Sequence, residues 1–230
     1  MREYAIGTTV GLEASLTPAC IAEIETSGSE KLYLAGDRLF LQGEPAQSIY
    51  LLQSGRVKSV LADRAGNESL LRIHLPDSVL GLTALGSGKV RDASAIAIDP
   101  VRVVEIDSAK FEQMIRQGGD LAAGLVQLLI DRMCDFHHRV GEFYTLPVEY
   151  RLALALLAIS RPDPSRHAEP VSLDIPLTHE ELAQLIGSRR PTVSTILARF
   201  RQAGLIARNG RATRIDDRGG LERRVAEFEM

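Results

Sequence analysis

Residues 178–206, THEELAQLIGSRRPTVSTILARFRQAGLI, bring together side chains that suit one kind of chemistry. Arg189 and Arg190 stand side by side, followed by Thr192, Ser194, Thr195 and Arg199, with no acid among them. Guanidinium forks match phosphate oxygens and the O6/N7 edge of guanine, and hydroxyls donate to phosphates and base edges. The flanking residues supply the frame that would present them. Thr178 and Glu181 have the spacing of a capping box that opens a helix. Leu182, Leu185 and Ile186 give that helix one apolar face, and Gly187 allows a tight turn. Pro191 suits the first turn of a second helix, where a missing N–H costs nothing. Val193, Ile196, Leu197 and Phe200 return this helix to a core, and Gly204 ends it. Leu205–Ile215 then reads as a wing. The pattern predicts a winged helix-turn-helix that sets its second helix in a DNA major groove. The plainer alternative is a helical hairpin with a solvated basic face.

A second constellation is Cys134, His137 and His138, which share one side of a helix at i, i+3 and i+4. It leaves haem, metal or redox sensing open, against a plain reading of a small apolar Cys beside two partly exposed histidines. We expect no metal and no cofactor. His74, at a strand end without a partner at ligand spacing, reads as structural. GSGKVRD at 86–92 lacks the spacing of a phosphate loop and the Ser/Thr after its lysine. No Ser/His/Asp ordering or metal motif with a general base suggests an enzyme.

Composition bounds the answer. The 230 residues are 45% hydrophobic and 25% charged, as in ordinary globular chains. No apolar run approaches the ~20 residues of a membrane span, and the N-terminus lacks a secretory pattern. Two cysteines, Cys20 and Cys134, make no disulfide framework, which places the chain in a reducing cytoplasm. Net charge is −3, but it is unevenly spread: residues 145–230 carry 13 Arg and no Lys against 11 acids, and residues 1–144 carry 14 basic and 19 acidic residues. A basic patch on an acidic body favours selected DNA sites over loose association.

Four segments follow in order. Residues 1–29 read as a lead and a short helix capped by Thr17 with Pro18 in its first turn. Residues 30–107 alternate in strands broken by turns every 8–12 residues, as in a sandwich or roll. Residues 108–146 turn helical: a short helix, a break at Gly118-Gly119, and a long helix from Asp120 to about Tyr144. Ala122, Val126, Leu129, Met133, Phe136, Val140 and Phe143 form a heptad seam along it. Leu121, Leu125 and Leu128 form a second apolar set for packing on the roll. Two faces predict a partner helix and a two-fold homodimer. Residues 147–230 hold the winged domain, with an exposed loop at Arg161–Pro170 and a short helix near Gly220–Phe228.

This α+β order of a β-roll, a long dimerising helix, a hinge and a winged helix-turn-helix resembles the cyclic-AMP receptor and fumarate–nitrate reductase regulator (CRP/FNR) superfamily of transcription factors. Gly36, Gly43-Glu44, Tyr50, Gly55 and Val57 match its roll, and Gly187, Arg190, Thr192 and Val193 match its DNA-reading end. The resemblance implies a cyclic-nucleotide-binding-like pocket at Gly81, Leu82, Arg91, Asp92, Arg132, Phe136 and His137. There the chain departs from cyclic-AMP binders. Leu82 stands where a glutamate holds the ribose, and Asp92 replaces a serine at the cyclic phosphate. Phe136 and His137 replace two hydroxyls that hold adenine, and Phe136 is placed to fill part of that space. Arg132 matches a family arginine, although a helix-flank arginine is commonly just solvated. Only two cysteines are present, too few for an iron–sulfur cluster.

The DNA-reading helix departs too: Pro191 and Thr195 replace a glutamate and a second arginine, so the half-sites differ from those of the cyclic-AMP receptor. Arg190 is the candidate guanine reader, Arg189 and Thr192 hold phosphates, and Ser194 and Thr195 reach base edges. The resemblance implies a cytoplasmic homodimeric regulator on a palindromic double-stranded operator. Activation or repression then follows from promoter position and a contact with RNA polymerase. Control comes from an unidentified small-molecule effector other than cyclic AMP, or from none. The alternatives are a haem-, metal- or redox-sensing member and a nucleotide-binding module that does not bind DNA.

Overall fold

Alternation along two strands decides how the roll is built. In the computed structural model, which describes residues 16–64, 66, 68–160, 174–210 and 212–228, the chain begins with α1 (Pro18–Ser27) and β1 (Ser29–Tyr33). It continues through β2 (Arg38–Phe40), β3 (Ser48–Ser54), β4 (Val57–Ala62), β5 (Glu68–His74) and β6 (Val79–Leu80). A 3-10 turn at Leu82–Leu85 leads to β7 (Ser94–Ala97) and β8 (Val101–Asp107). Then come α2 (Ser108–Arg116), α3 (Asp120–Thr145), α4 (Val148–Ile159), β9 (Asp174–Ile175), α5 (His179–Leu185) and α6 (Arg190–Gln202). The chain closes with β10 (Ile206–Asn209), β11 (Ala212–Ile215) and α7 (Arg218–Glu227). The described residues form two compact units divided between Asp135 and Phe136.

The first unit holds two four-stranded sheets, β1-β8-β3-β6 and β2-β7-β4-β5. Period-2 alternation on β3 and β8 buries both faces of the first sheet. Tyr50, Leu52, Val101 and Val103 face a core shared with Leu39, Val57, Ala95 and Ala97. Ile49, Leu51, Val104 and Ile106 face a second core built with Cys20, Ile24 and Phe111. Leu121, Leu125 and Leu128 of α3 complete that second core, as their spacing predicts. Thr17 caps α1 through the Cys20 amide, with Pro18 at its start. His74 is buried, with Nε2 2.8 Å from Ser59 Oγ, in line with a structural role.

In the second unit α4 is buried from Tyr150 to Ile159. The helix α7 packs on α4, and a three-stranded sheet β10-β11-β9 flanks α6. The short β9, which pairs with β11 through Ile175 and Thr213, has no counterpart in the sequence reading: two residues carry no period. The expected loop at Arg161–Pro170 lies outside the described residues, as do residues 1–15 of the expected lead. Among the described residues no helix is long and apolar enough to cross a membrane.

Candidate nucleic-acid interface

The capping box forms as its spacing predicts. Thr178 Oγ1 accepts from the Glu181 amide, while Glu181 Oε2 accepts from the Thr178 amide at 2.8 Å. The chain then turns at Gly187, whose φ of +60° lies in the left-handed region that favours glycine. Arg151, buried in α4, donates Nη1 to the Ile186 carbonyl at 2.5 Å and so fixes the turn from beneath. Burial holds this guanidinium below the usual arginine range. Val193, Ile196, Leu197 and Phe200 anchor α6 in the core.

The outward face of α6 is less uniform than its sequence. Arg189, Arg190 and Thr192 are exposed at the start of the helix. Arg199, expected to face DNA, instead pairs Nη2 with Glu149 Oε2 of α4 at 3.0 Å. One helical turn in from the start, Thr195 turns its hydroxyl back onto the Pro191 carbonyl at 3.0 Å. Ser194, expected at a base edge, is half-buried with Oγ 2.8 Å from His179 Nδ1. Each has the same physical cause: a polar side chain within reach of a fixed partner satisfies itself there when no ligand competes.

Three residues absent from the sequence reading join this face. A cavity of about 550 Å³ opens between α5, α6 and the β10–β11 hairpin, and His179, Arg190, Arg201 and Arg208 line it. Burial lowers the His179 pKa below its usual value, and the charges of Arg201, Arg190 and Arg208 lower it further. Arg201 lies three turns along α6 from the arginine pair, and Arg208 returns to it on β10, which pairs with β11.

The roll holds the second set of expected residues. Gly81, at φ +78°, leads into the 3-10 turn at Leu82–Leu85. Leu82 packs against the apolar core of the roll. Arg91 is only 3% exposed. Its Nη1 donates to the Gly81 carbonyl at 3.1 Å and its Nη2 to the Ser48 carbonyl at 2.7 Å. The guanidinium carbon lies 4.1 Å above the Phe40 ring, and burial lowers its pKa. Beside it Tyr50 donates to Glu105 at 3.0 Å, and Lys31 pairs with the same carboxylate. Burial, then the Glu105 charge, raises the Tyr50 phenol well above its usual range.

Three expectations for the pocket change in detail. Asp92 is exposed, so its carboxylate is not drawn inward beside Arg91. Arg132 is not merely solvated: its Nη2 donates to the Val79 carbonyl at 2.5 Å. Phe136 is 65% exposed, so it fills no buried space in this chain, and His137 is exposed as well. Among the described residues no cluster of three or more His, Cys, Asp or Glu is placed to hold a metal. Cys134 and His138 lie exposed on α3.

Comparison with known proteins agrees with this architecture. Residues 30–118 match the cyclic nucleotide-binding domain, and residues 150–224 match the Crp-like helix-turn-helix domain. The chain is 28% identical over 215 residues to the CRP-like cAMP-activated global transcriptional regulator of Mycobacterium tuberculosis, covering 94% of this chain and 96% of that one. It is 30% identical over 181 residues to the cAMP-activated global transcriptional regulator CRP of Salmonella typhimurium, covering 78% and 85%. Among solved structures, a CRP/FNR-family transcriptional regulator of Thermus thermophilus matches with a TM-score of 0.67 at 28% identity, over 86% of this chain and 98% of that one. With its nucleotide-binding-type roll, its long helix and its Crp-like reading domain, the chain belongs to the CRP/FNR superfamily of DNA-binding transcriptional regulators, which are not enzymes.

Proposed function

We propose that this regulator acts in the cytoplasm as a homodimer on a palindromic operator, and that cyclic AMP is not its effector. Arg189, Arg190 and Thr192 contact DNA. Ser194 and Thr195 join them when their internal hydrogen bonds are exchanged for DNA, and Arg199 positions α6 through Glu149. Dimerisation runs along α3, where Val126, Leu129, Met133, Phe136 and Val140 are between 38% and 65% exposed in the single chain, while Phe143, expected in the same seam, packs its ring on the Gly187 turn. A row of that length on one helix is more apolar surface than a monomer commonly leaves in water. We place the working segments at 1–29, 30–107, 108–146 and 147–230, and assign activation or repression to a contact with RNA polymerase.

The observation that carries the effector reading is Arg91. The relatives from Salmonella typhimurium and Mycobacterium tuberculosis are cAMP-activated regulators. In this chain the arginine that should meet a cyclic phosphate gives one N–H of each terminal nitrogen to the carbonyls of Gly81 and Ser48, and its buried Nε has no hydrogen-bond partner among the described residues. Hydrogen bonds from a charged donor contribute about 1.5–3 kcal/mol each, so these two hold the side chain inward and a ligand that pulled it outward would have to replace them. Leu82, packed on the roll core, brings no acceptor for a ribose hydroxyl. Either another effector fills the roll or the dimer is DNA-competent without one. Selection of duplexes from a random library, with no nucleotide present, tests this. The expected product is a two-fold symmetric site with half-sites about 34 Å apart. Recovery of a site only when cyclic AMP is added would overturn it.

A further inference from the structure

Arg199, Arg214, Arg218, Arg223 and Arg224 each pair with a carboxylate. Arg190, Arg201 and Arg208 make no such pair among the described residues, and these three line the cavity beside α6. They come from the first turn of α6, its last turn and strand β10, so like charge is aimed from three places at one space of about 550 Å³. His179 enters the same space from α5, with Nδ1 2.8 Å from Ser194 Oγ. Glu180, on its own helix, is the acid on the cavity wall. The β11 strand contributes Ala212 and Thr213, which do not titrate. Gathering three guanidinium groups without a paired carboxylate costs mutual repulsion, which an anion relieves.

We propose that this cavity is a phosphodiester site that seats a backbone phosphate of bound DNA beside α6, held by Arg201 and Arg208, with Arg190 left at its mouth for a base edge and His179 as a third contact whose charge depends on pH. The inference rests on the reading of α6 as the DNA-reading helix. In the free protein burial, then the charges of the three arginines, disfavour the charged form of His179. A seated phosphate reverses the balance, because a nearby negative charge favours the imidazolium. The ring then takes up a proton on binding, and affinity for DNA rises as pH falls through the His179 range. With Nδ1 facing Ser194, Nε2 remains to donate to the phosphate.

The test measures affinity for a selected operator duplex between pH 5.5 and 8 at constant ionic strength. The wild-type chain is expected to bind more tightly as pH falls, by about tenfold per unit by which DNA raises the His179 pKa. His179→Gln should abolish the pH slope, and Arg201→Ala or Arg208→Ala should each lower the salt slope by about one unit. Nuclear magnetic resonance titration of the His179 ring in the wild-type chain, assigned by its loss in His179→Gln, gives a second readout. The operator should raise its titration midpoint. A pH slope that survives in His179→Gln, or a salt slope unchanged in both arginine variants, overturns the proposal while leaving operator binding by α6 intact. So does a midpoint moved by inorganic phosphate but not by the operator, which would make this a free-phosphate site. Wild-type affinity in both Arg189→Ala and Arg190→Ala would instead remove the underlying reading of α6.

Discussion

The ring of Phe143, near the C-terminus of α3, lies against Gly187 in the turn between α5 and α6, where a Cβ would meet the ring carbons at 2.9 Å. Arg151 stands 5.3 Å from the centre of the same ring and holds the Ile186 carbonyl. Glycine is therefore required at 187 twice over, for its backbone angle and for the ring that occupies its side-chain space. Gly187→Ala should destabilise the reading domain by about 1–2 kcal/mol from the left-handed backbone alone, with about 1–3 kcal/mol more from overpacking. Adding Phe143→Ala should recover the overpacking share and not the backbone share. Urea unfolding of the two variants measures this. An unchanged midpoint in Gly187→Ala would show that the turn relaxes away from the ring.

The reading domain was legible because each of its signals is local. The Thr178–Glu181 capping box, the turn at Gly187 and Pro191 in the first turn of α6 all act within a few residues, and all three form. The period of Leu121, Leu125 and Leu128 likewise placed α3 on the roll core. What the sequence hid depends on partners distant along the chain. Arg199 is an exposed cation in sequence and an ion pair in space because Glu149 lies 50 residues earlier, on another helix. Arg91 is a buried arginine because the carbonyl of Ser48, 43 residues away, is within its reach. The cavity joins His179 of α5 and Arg201 of α6 to Arg208 of β10, and no periodicity in a four-residue strand announces where Arg208 falls.

The seam on α3 predicts its own disruption. Leu129 and Met133 are 53% and 54% exposed in the single chain, so a charge there is harmless to a monomer. Buried against a partner helix, an unpaired carboxylate costs several kcal/mol. Leu129→Asp or Met133→Asp should sediment as a folded monomer with near-native thermal stability and lose operator binding. A variant that stays dimeric would place the interface on another surface.

The arginines of α6 should separate by role. Arg190→Ala is expected to cost about 1–3 kcal/mol on the selected operator and to relax preference at one base pair. Arg189→Ala should weaken all sequences evenly and reduce the salt slope by about one unit. Glu149 holds Arg199 and lies 3.8 Å from Arg224, so Glu149→Gln releases positive charge beside α6. That change should cost stability, because the Glu149 side chain is only 15% exposed, and should lower operator affinity, because the pair positions α6. A rise in affinity would show that the ion pair masks charge more than it sets the pose of α6.

Arg91 offers a way to tell a structural arginine from a ligand-binding one. A side chain kept for a cyclic phosphate is dispensable to the empty roll, and its removal abolishes only the response to ligand. Here Arg91 is buried, lies over Phe40 and satisfies the carbonyls of Gly81 and Ser48. Arg91→Met keeps much of the volume and leaves those two acceptors without their donor, at about 1–3 kcal/mol for each buried unsatisfied group. The variant should therefore unfold at clearly lower temperature while binding the operator with wild-type affinity at a permissive one. Calorimetry should find no micromolar cyclic AMP binding to either protein. If Arg91→Met is as stable as the wild type, and the wild type binds cyclic AMP with micromolar affinity and tightens on its operator, then Arg91 is held for a phosphate and its inward pose is only the unliganded one.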